Sequence, residues 1–356
     1  MGITFFLYLN LIKLYNNHKK AIKRRKSVKE KIIEKLIKDL GNYVSGERLS
    51  EELGVTRTAI WKNINTLREE GYIIHSLPRK GYILKDTPDI LSQIEIQNGL
   101  DTKILGKEIL HYDSISSTND LVKELALKNG KEGLVIISEE QIKGRGRRGR
   151  NWQSPKGKGI WMSILLRPDI PPKEGPKFTL LSAVAVTKAI KEATGIEGKI
   201  KWPNDIIVNN KKVCGILTEM NAEMDLINYI IIGIGINVNG KTEDFSHELK
   251  DRAISLSQVK GDYISRKEIV RKILENIENY YLEFIQNMDF TEILEEWKKL
   301  SCNLGREVRA IVNGKEVIGL AIDISKDGSL LLKTKDNKIV EIIYGDVKVR
   351  GIDDYV

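Results

Sequence analysis

The segment with the clearest capacity for chemistry is a loop in the middle of the chain, residues 144–150, which holds four arginines and three glycines. Glycine lets the backbone approach a ligand closely, and each arginine brings a fixed positive charge and several donors. The loop therefore predicts a phosphate-rich ligand or intermediate. The alternative is a solvated basic loop that binds nucleic acid. The glycines also fit the GxGxxG dinucleotide pattern, but that pattern needs a helix directly afterwards, and none is predicted here.

Other polar groups occur in segments on either side of this loop. Ser117, Thr118 and Asn119 precede a predicted helix, where free N–H groups could hold an anion, although plain capping explains them equally well. A predicted β-hairpin follows at 199–219 with polar residues near both ends. In the strand predicted at 230–239, glycines at alternate positions either leave room for a flat ligand or allow tight sheet packing.

Mixed strands and helices must position these segments. Buried strands are predicted at 134–137 and 160–166. The helix predicted at 180–193 is apolar over most of its surface, so we expect it to be largely buried. The polar, glycine-bounded segment 240–262 predicts a mobile loop with a helical part. The pattern therefore indicates a mixed α/β domain with functional loops.

The net charge of +9 lies entirely at the N-terminal end of the chain. Residues 1–26 hold seven basic and no acidic side chains, residues 27–87 hold eleven and nine, and the remainder is neutral. This asymmetry predicts a polyanion-binding end attached to a neutral body. Residues 1–26 are interpreted as an extension outside the fold, with membrane-surface contact as the alternative, because the apolar run at 3–15 is too short to span a bilayer.

Residues 27–87 have the pattern of a winged helix-turn-helix domain. Two short helices are separated by a turn at Gly54, and a hairpin with a basic tip follows the second helix. The alternative is a three-helix module that binds proteins. The residues predicted to contact DNA are Gly46, Thr56, Arg57, Thr58, Lys62, Asn65, Arg79 and Lys80.

The end of the chain and the cysteine content add two expectations. Short strands with turns such as Asn313-Gly314 predict a small SH3-like barrel near the C-terminus. Cys214 and Cys302 are too few for a disulfide framework, which favours a reducing, cytoplasmic compartment. With four histidines in addition, a structural zinc site is not expected, and we predict no metal-ligating residues.

The motifs in their order resemble those of a known family. Residues 144–152, 201–205, 212–217 and 233–237 follow one another, with the Ser117-Thr118-Asn119 element ahead of them. Together they resemble the biotin protein ligases. With the N-terminal winged helix-turn-helix, the chain from about residue 27 onwards is similar to the bifunctional biotin ligases that also repress the biotin operon.

The resemblance implies an α+β multidomain fold. A winged helix-turn-helix domain at 27–87 would be followed by a class II synthetase-like mixed α/β catalytic domain at 88–300 and an SH3-like β-barrel at 301–356. It also implies that biotin reacts with ATP, accompanied by Mg²⁺, to form biotinyl-5′-adenylate. The biotinyl group would then pass to a lysine of a biotin carboxyl carrier protein domain. The implied partners are this carrier, operator DNA and a second copy of the chain when the adenylate is bound, with no membrane.

The resemblance also assigns roles to residues. Its biotin-binding residues are Ser117, Thr118, Asn119, Gln141, Arg145, Gly146, Arg147, Lys212, Gly215, Gly233 and Gly235. Its nucleotide-binding residues are Trp152, Asn204, Asn237 and Arg350. Its catalytic residues are Arg145, Arg147, Lys201, Asp205 and Lys212, which supply positive charge and positioning, since no protein nucleophile is needed. Segment 240–262 would cover the adenylate. Two alternatives stay open: a biotin-sensing DNA-binding regulator without ligation, and a lipoate ligase, against which the arginine-glycine loop argues.

Overall fold

The computed structural model of the chain describes residues 27–312 and 315–343, and also the backbone of the strand Lys348–Gly351. The extension predicted at 1–26 and the turn predicted at Asn313-Gly314 lie outside these residues. The chain divides after Pro88 into two compact units. In the described ranges no helix is long and apolar enough to cross a membrane.

The first unit is a three-helix bundle with a two-stranded antiparallel hairpin. Its elements are α1 (Val28–Lys38), α2 (Gly46–Leu53), α3 (Arg57–Glu69), β1 (Ile73–Leu77) and β2 (Gly81–Asp86). Ser27, Ser45 and Thr56 cap the three helices, because each side chain accepts a hydrogen bond from a backbone N–H in the first turn. Gly54 ends α2 in the left-handed conformation, and α3 begins three residues later, as a helix-turn-helix requires.

The hairpin is attached to the helices at Gly81. The N–H groups of Val44 and Tyr82 each donate to the carbonyl of the other residue, at 2.8 and 2.9 Å. Gly81 has φ +104°, and a Cβ there would lie 2.1 Å from the Val44 carbonyl oxygen. Only glycine therefore permits this contact, which places the wing beside the start of α2.

The second unit is built on a seven-stranded sheet with the order β3-β4-β5-β9-β8-β7-β6, in which only β3 and β4 run parallel. The strands are β3 (Ile109–Tyr112), β4 (Val135–Ser138), β5 (Gly159–Leu166), β6 (Lys199–Lys201), β7 (Asp205–Val208), β8 (Lys211–Ala222) and β9 (Ile227–Asn237). The central strands β5 and β9 are almost wholly buried. They form the floor on which the candidate site lies.

Helices cover this sheet. They are α4 (Gln93–Gln97), α5 (Thr118–Leu127), α6 (Lys177–Thr194), α7 (Leu256–Lys260), α8 (Arg266–Asn287) and α9 (Thr291–Leu300). The predicted burial of the 180–193 helix is confirmed in α6, which is buried over most of its length between the sheet and α8. Segment 240–262 contains α7, in agreement with the predicted helical part.

The C-terminal strands form a five-stranded antiparallel sheet, with the order β13-β12-β11-β10-β14. Its strands are β10 (Glu307–Val312), β11 (Lys315–Ile324), β12 (Leu330–Lys333), β13 (Ile339–Ile342) and β14 (Lys348–Gly351). Within the described residues β13 and β14 are the two edges, so the closure expected of an SH3-like barrel is not confirmed. Residues of this sheet such as Ala310 and Leu332 share one apolar core with the seven-stranded sheet and its helices, including Trp297 of α9.

Candidate active site and DNA-binding face

A cavity of about 290 Å³ lies over strands β5, β9 and β8. The following predicted residues line it: Ser117, Thr118, Asn119, Gln141, Arg145, Gly146, Arg147, Trp152, Lys201, Asn204, Asp205, Lys212, Gly215, Gly233, Gly235 and Asn237. They come from separate segments between residues 117 and 237, and the fold brings them to one place. The side chain of Arg350 lies outside the described residues.

One wall of the cavity is the N-terminus of α5. Ser117 caps this helix. Thr118 donates from its backbone N–H and from Oγ1 to Oε1 of Gln141, at 2.8 and 3.1 Å, and Nε2 of Gln141 donates to Ser154 Oγ at 2.9 Å. The capping and ligand-binding interpretations of this segment are therefore compatible, because one side chain caps the helix while the next two face the cavity.

Gln141 follows a strand that a buried ion-pair network holds in place. Arg266 Nη1 contacts Glu139 Oε2 at 2.6 Å, and His111 Nε2 lies 3.0 Å from the other carboxylate oxygen. Burial alone would raise the pKa of Glu139, but the hydrogen bond from His111 and the charge of Arg266 outweigh it and lower that pKa to about 2. The anchor beneath the strand therefore stays ionised at neutral pH.

The alternating glycines of β9 make room for side chains of the site. A Cβ at Gly233 would lie 2.1 Å from Oδ1 of Asn119, and one at Gly235 would lie 2.5 Å from Nε1 of Trp152. Asn119 also donates from Nδ2 to Glu219 at 2.7 Å. The sequence left open whether these glycines serve a ligand or sheet packing, and here they accommodate an amide and an indole from neighbouring segments.

The arginines of the 144–150 loop have defined partners. Arg145 pairs with Asp120 and, at 3.3 Å, with Glu219, while Arg147 donates to Asn204 Oδ1 at 3.1 Å. The two carboxylates that face Arg145 had no assigned role in the sequence. They are 25 and 74 residues away, so no local pattern could have indicated them.

Lys212 is the cation at the centre of the cavity. Its Nζ lies 2.6 Å from Asp205 Oδ1 and 5.0 Å from the centre of the Trp152 ring. A Cβ at Gly215 would lie 3.0 Å from Lys212 Nζ, so the glycine keeps space for the ammonium group. The lysine is thus held between a carboxylate and an aromatic face.

Segment 240–256 contributes residues that the sequence did not identify singly. Phe245, Leu249 and Arg252 line the cavity. The N–H of Lys212 donates to the carbonyl of Arg252 at 2.8 Å, and the N–H of Ile254 donates back to the carbonyl of Lys212 at 3.1 Å. The segment is therefore joined directly to the strand that carries the central lysine.

The arrangement suits a polyanion, and no cysteine is among the described residues that line the cavity. Burial strongly raises the pKa of the Cys214 thiol, which keeps it protonated. Among the residues that the structure describes, there is no cluster of three or more histidine, cysteine or acidic side chains that could hold a metal ion. Among the described residues, eight basic side chains line the cavity, including Arg145, Arg147, Lys201 and Lys212, together with asparagine and tryptophan side chains.

In the first unit, the predicted DNA-contacting residues lie mostly on one exposed face of α3. Arg57, Thr58 and Lys62 are exposed there. Thr56 caps the helix through its side chain, and Asn65 accepts a hydrogen bond from Arg68. Trp61, which was not assigned to a base, is 53% exposed on the same helix.

The remaining predicted DNA contacts lie at the wing and at the start of α2. Arg79 and Lys80 form the exposed wing tip, where the Lys80 ammonium lies 5.8 Å from the centre of the Tyr43 ring. Gly46 is the first residue of α2, and a Cβ there would lie 3.3 Å from the Tyr82 ring. The exposed basic residues Arg57, Lys62, Arg79 and Lys80 of the first unit thus lie on the helix and wing that the motif uses.

Family models match three parts of the chain. The Biotin/lipoate A/B protein ligase family matches residues 112–237, an HTH domain matches residues 28–83, and the Biotin protein ligase C terminal domain matches residues 304–350.

Relatives match over most of the chain. The bifunctional ligase/repressor BirA of Bacillus subtilis is 44% identical over 326 residues, which cover 91% of this chain and 99% of the relative. The bifunctional ligase/repressor BirA of Escherichia coli is 31% identical over 315 residues, which cover 87% and 94%. A solved structure of the biotin protein ligase from Aquifex aeolicus in complex with biotin and ATP is 31% identical, with a TM-score of 0.60, and covers 69% of this chain and 99% of that one.

Proposed function

The chain belongs to the family of bifunctional biotin ligase/repressors, and we therefore propose that it attaches biotin to a carrier protein and represses transcription in response to biotin. The observation that carries the ligase half is the meeting of the family's motif residues around one cavity that is rich in basic side chains. In the first step, the biotin carboxylate attacks the α-phosphorus of ATP. A mixed anhydride, biotinyl-5′-adenylate, forms and pyrophosphate leaves.

Positive side chains would stabilise the negative charge that comes together in this step. Lys212 and Arg147 would lie at the reacting carboxylate and α-phosphate, where they reduce the repulsion between two anions. Lys201 would neutralise charge on the nucleotide phosphates, and Arg145, which pairs with Asp120 and Glu219, would bring its charge to the bound anions. Holding both substrates in one enclosed site supplies the rest, since positioning alone removes a large part of the barrier to a two-substrate reaction.

The polar side chains divide the cavity into two ends. Ser117, Thr118, Asn119 and Gln141, beside the glycines of β8 and β9, would bind biotin. The nucleotide would be bound by Trp152, Asn204 and Asn237, together with Arg350 from the C-terminal sheet. We propose that this sheet closes into an SH3-like barrel.

Mg²⁺ fits this site as a companion of ATP. The carboxylates that line the cavity, Asp205 and Asp244, are each paired with a lysine, at 2.6 and 3.7 Å. Mg²⁺ commonly binds through one or two carboxylates together with substrate phosphates. When bound, it would neutralise charge on the departing pyrophosphate.

In the second step, the neutral amine of a carrier lysine attacks the acyl carbon of the adenylate, forms an amide and releases AMP. Asp205 would orient the incoming amine or the adenylate. The repressor half uses α3 and the wing on operator DNA, with two copies of the chain on a two-fold site when the adenylate is bound. The need for ATP, carrier protein and DNA favours the cytoplasm.

A single assay tests the ligase half. The full chain is incubated with ATP, biotin and a biotin carboxyl carrier domain, and the carrier mass is followed. We expect the mass of one biotinyl group to be added. No addition with retained biotin binding would favour a sensing regulator without ligation, and addition only with lipoate would favour a lipoate ligase.

Replacing Arg147 with glycine should make the protein release its adenylate. The change removes a cation from the cavity and the hydrogen bond to Asn204, and losing one charged hydrogen bond speeds release by about tenfold to a hundredfold. Free adenylate would then biotinylate lysines of bystander proteins, which mass spectrometry detects. Lys143→Gly, in the same segment but away from the cavity lining, is the control and should leave labelling confined to the carrier. Equal bystander labelling by both variants would contradict the assignment.

A further inference from the structure

The loop between β6 and β7, residues 201–205, is held in place by residues that follow α9. All five residues line the cavity, and Trp202 among them has only 2% of its surface exposed. The loop joins two short strands at the edge of the sheet. The anchoring of Trp202 therefore contributes, together with the pairing of β6 and β7, to the position of the other cavity-lining side chains.

Asn303 supplies the anchor on the main chain. Its Oδ1 accepts a hydrogen bond from the Trp202 N–H at 2.7 Å, and the asparagine has none of its surface exposed. Its Nδ2 makes no hydrogen bond to the described residues, so the polar contact of this buried side chain is made by its oxygen. A buried N–H that loses its acceptor is costly, and the backbone at Trp202 would move to find another.

Two further hydrogen bonds join residues after α9 to the loop and to the strand before it. Trp202 Nε1 donates to the carbonyl of Gly328, in the turn before β12, at 3.0 Å. The N–H of Cys302 donates to the carbonyl of Ile200 at 2.9 Å. The segment 302–328, here called the C-terminal module, thus contacts the loop at three points. These are the Trp202 indole, the Trp202 backbone N–H and strand β6, which leads into the loop.

The position of the loop also affects a cation of the site, because Asn204 is bonded to Arg147. Asn204 donates from Nδ2 to the carbonyl of Ile216 at 2.7 Å, and its Oδ1 accepts from Arg147. By contrast, Thr118 and Gln141 on the opposite wall are hydrogen-bonded to each other, Gln141 also donates to Ser154, and neither has a hydrogen bond to residues 201–205 within the described chain. A disturbance at Trp202 should therefore act first on Asn204 and its partner Arg147, and should leave the biotin-binding wall formed by Thr118 and Gln141 in place.

We propose that Asn303 is a positioning residue for adenylate formation, which sets the loop 201–205 against ATP and has no direct contact with either substrate. The inference rests on the proposed ligase function. It assigns the C-terminal module a role in the first step of the reaction, exerted through one buried amide oxygen.

The test replaces Asn303 with leucine, which has a similar volume but no acceptor, in the full chain. We expect the KM for ATP to rise about tenfold and the rate of pyrophosphate release to fall about tenfold, while the Kd for biotin changes by less than about twofold. Asn303→Asp retains an oxygen at the position of Oδ1 and should restore most of the loss. If the leucine variant does not fold, Asn303→Ser, which withdraws the acceptor with less disruption, takes its place beside Asn303→Asp.

Asn276→Leu is the matched control. Asn276 is 7% exposed in α8, away from the cavity, and donates to Glu192 and to the Lys272 carbonyl at 3.0 and 2.9 Å. It should lower the unfolding temperature without changing the KM for ATP. The proposal is overturned if ATP and biotin binding weaken equally in Asn303→Leu, if its ATP kinetics match those of the control, or if Asn303→Asp does not restore them. Absence of pyrophosphate release by the unaltered protein would instead refute the ligase function.

Discussion

Replacing Lys212 with alanine should lower the rate of pyrophosphate release by about 10²–10³-fold, the typical cost of removing one preorganised electrostatic stabiliser from a reacting centre. Lys212 is the ammonium group at the centre of the cavity, held between Asp205 and the face of Trp152. Its removal takes away a positive charge and leaves Asp205 unneutralised beside two reacting anions. Both consequences raise the barrier, so we expect a larger loss than at any cavity-lining asparagine. Pyrophosphate release with saturating biotin and ATP measures it.

The neighbouring lysine provides the control for this prediction. Lys211 is adjacent in β8, but its Nζ donates to the carbonyl of Lys250 at 3.1 Å and it does not line the cavity. Lys211→Ala should therefore keep adenylate formation within about twofold, since its ammonium group bonds a carbonyl outside the cavity. Unfolding temperatures of the two variants should be similar. If Lys212→Ala releases pyrophosphate at the rate of Lys211→Ala, the placement of Lys212 at the reacting groups is wrong.

The cavity-lining residues were largely predictable because each motif carries its own local signal. Glycine and arginine in one loop, a polar run before a helix, and alternating glycines in a strand can all be read from a few neighbouring residues. The order of the motifs supplied the rest. The helix-turn-helix was predictable for the same reason, since capping residues and Gly54 mark its ends.

The partners of those residues were not predictable from local patterns. Glu219 meets Arg145 only because β8 is paired with β9 in a register that turns its side chain towards the loop. Asn303 meets Trp202 across 101 residues. Such contacts depend on the packing of whole elements, which hydrophobic periodicity does not determine.

The alternating glycines illustrate the same limit. Their spacing indicated that something lies close to β9, but the sequence could not say whether it was a ligand or the protein itself. The register opposite Trp161 and Leu217, together with the position of α5, decides that Asn119 and Trp152 occupy the space. The expected closure of the C-terminal barrel depended in the same way on pairing between distant strands.

Occupation of the cavity should be coupled to DNA binding through dimerisation. A single helix-turn-helix reads a short half-site, so useful affinity normally needs a two-fold dimer on two half-sites. The loop 144–150 lies at the cavity, and Arg145 pairs there with Asp120 and Glu219. A bound adenylate would compete with these carboxylates for the arginine and hold the loop in one arrangement. Any dimer contact that the loop borders would then form at a lower entropic cost.

We therefore expect biotin together with ATP to raise the affinity for operator DNA by about tenfold to a hundredfold, within the usual range of coupling between sites, and to shift the chain from monomer to dimer. Adding the carrier domain should reverse both changes, because transfer of the biotinyl group empties the cavity. The coupling must be reciprocal, so operator DNA should tighten the adenylate-bound dimer by the same factor. Sedimentation and DNA titrations, each with and without biotin plus ATP, measure these quantities at one fixed salt concentration.

Two variants serve as controls. Lys212→Ala distinguishes the effect of the adenylate from that of biotin and ATP themselves: it should bind DNA only at the basal level in both conditions. Lys62→Ala, on the exposed face of α3, should weaken DNA binding in both conditions while adenylate formation is unchanged. Equal DNA affinity with and without biotin plus ATP, in a protein that makes the adenylate, would mean that ligation and DNA binding are independent functions of one chain.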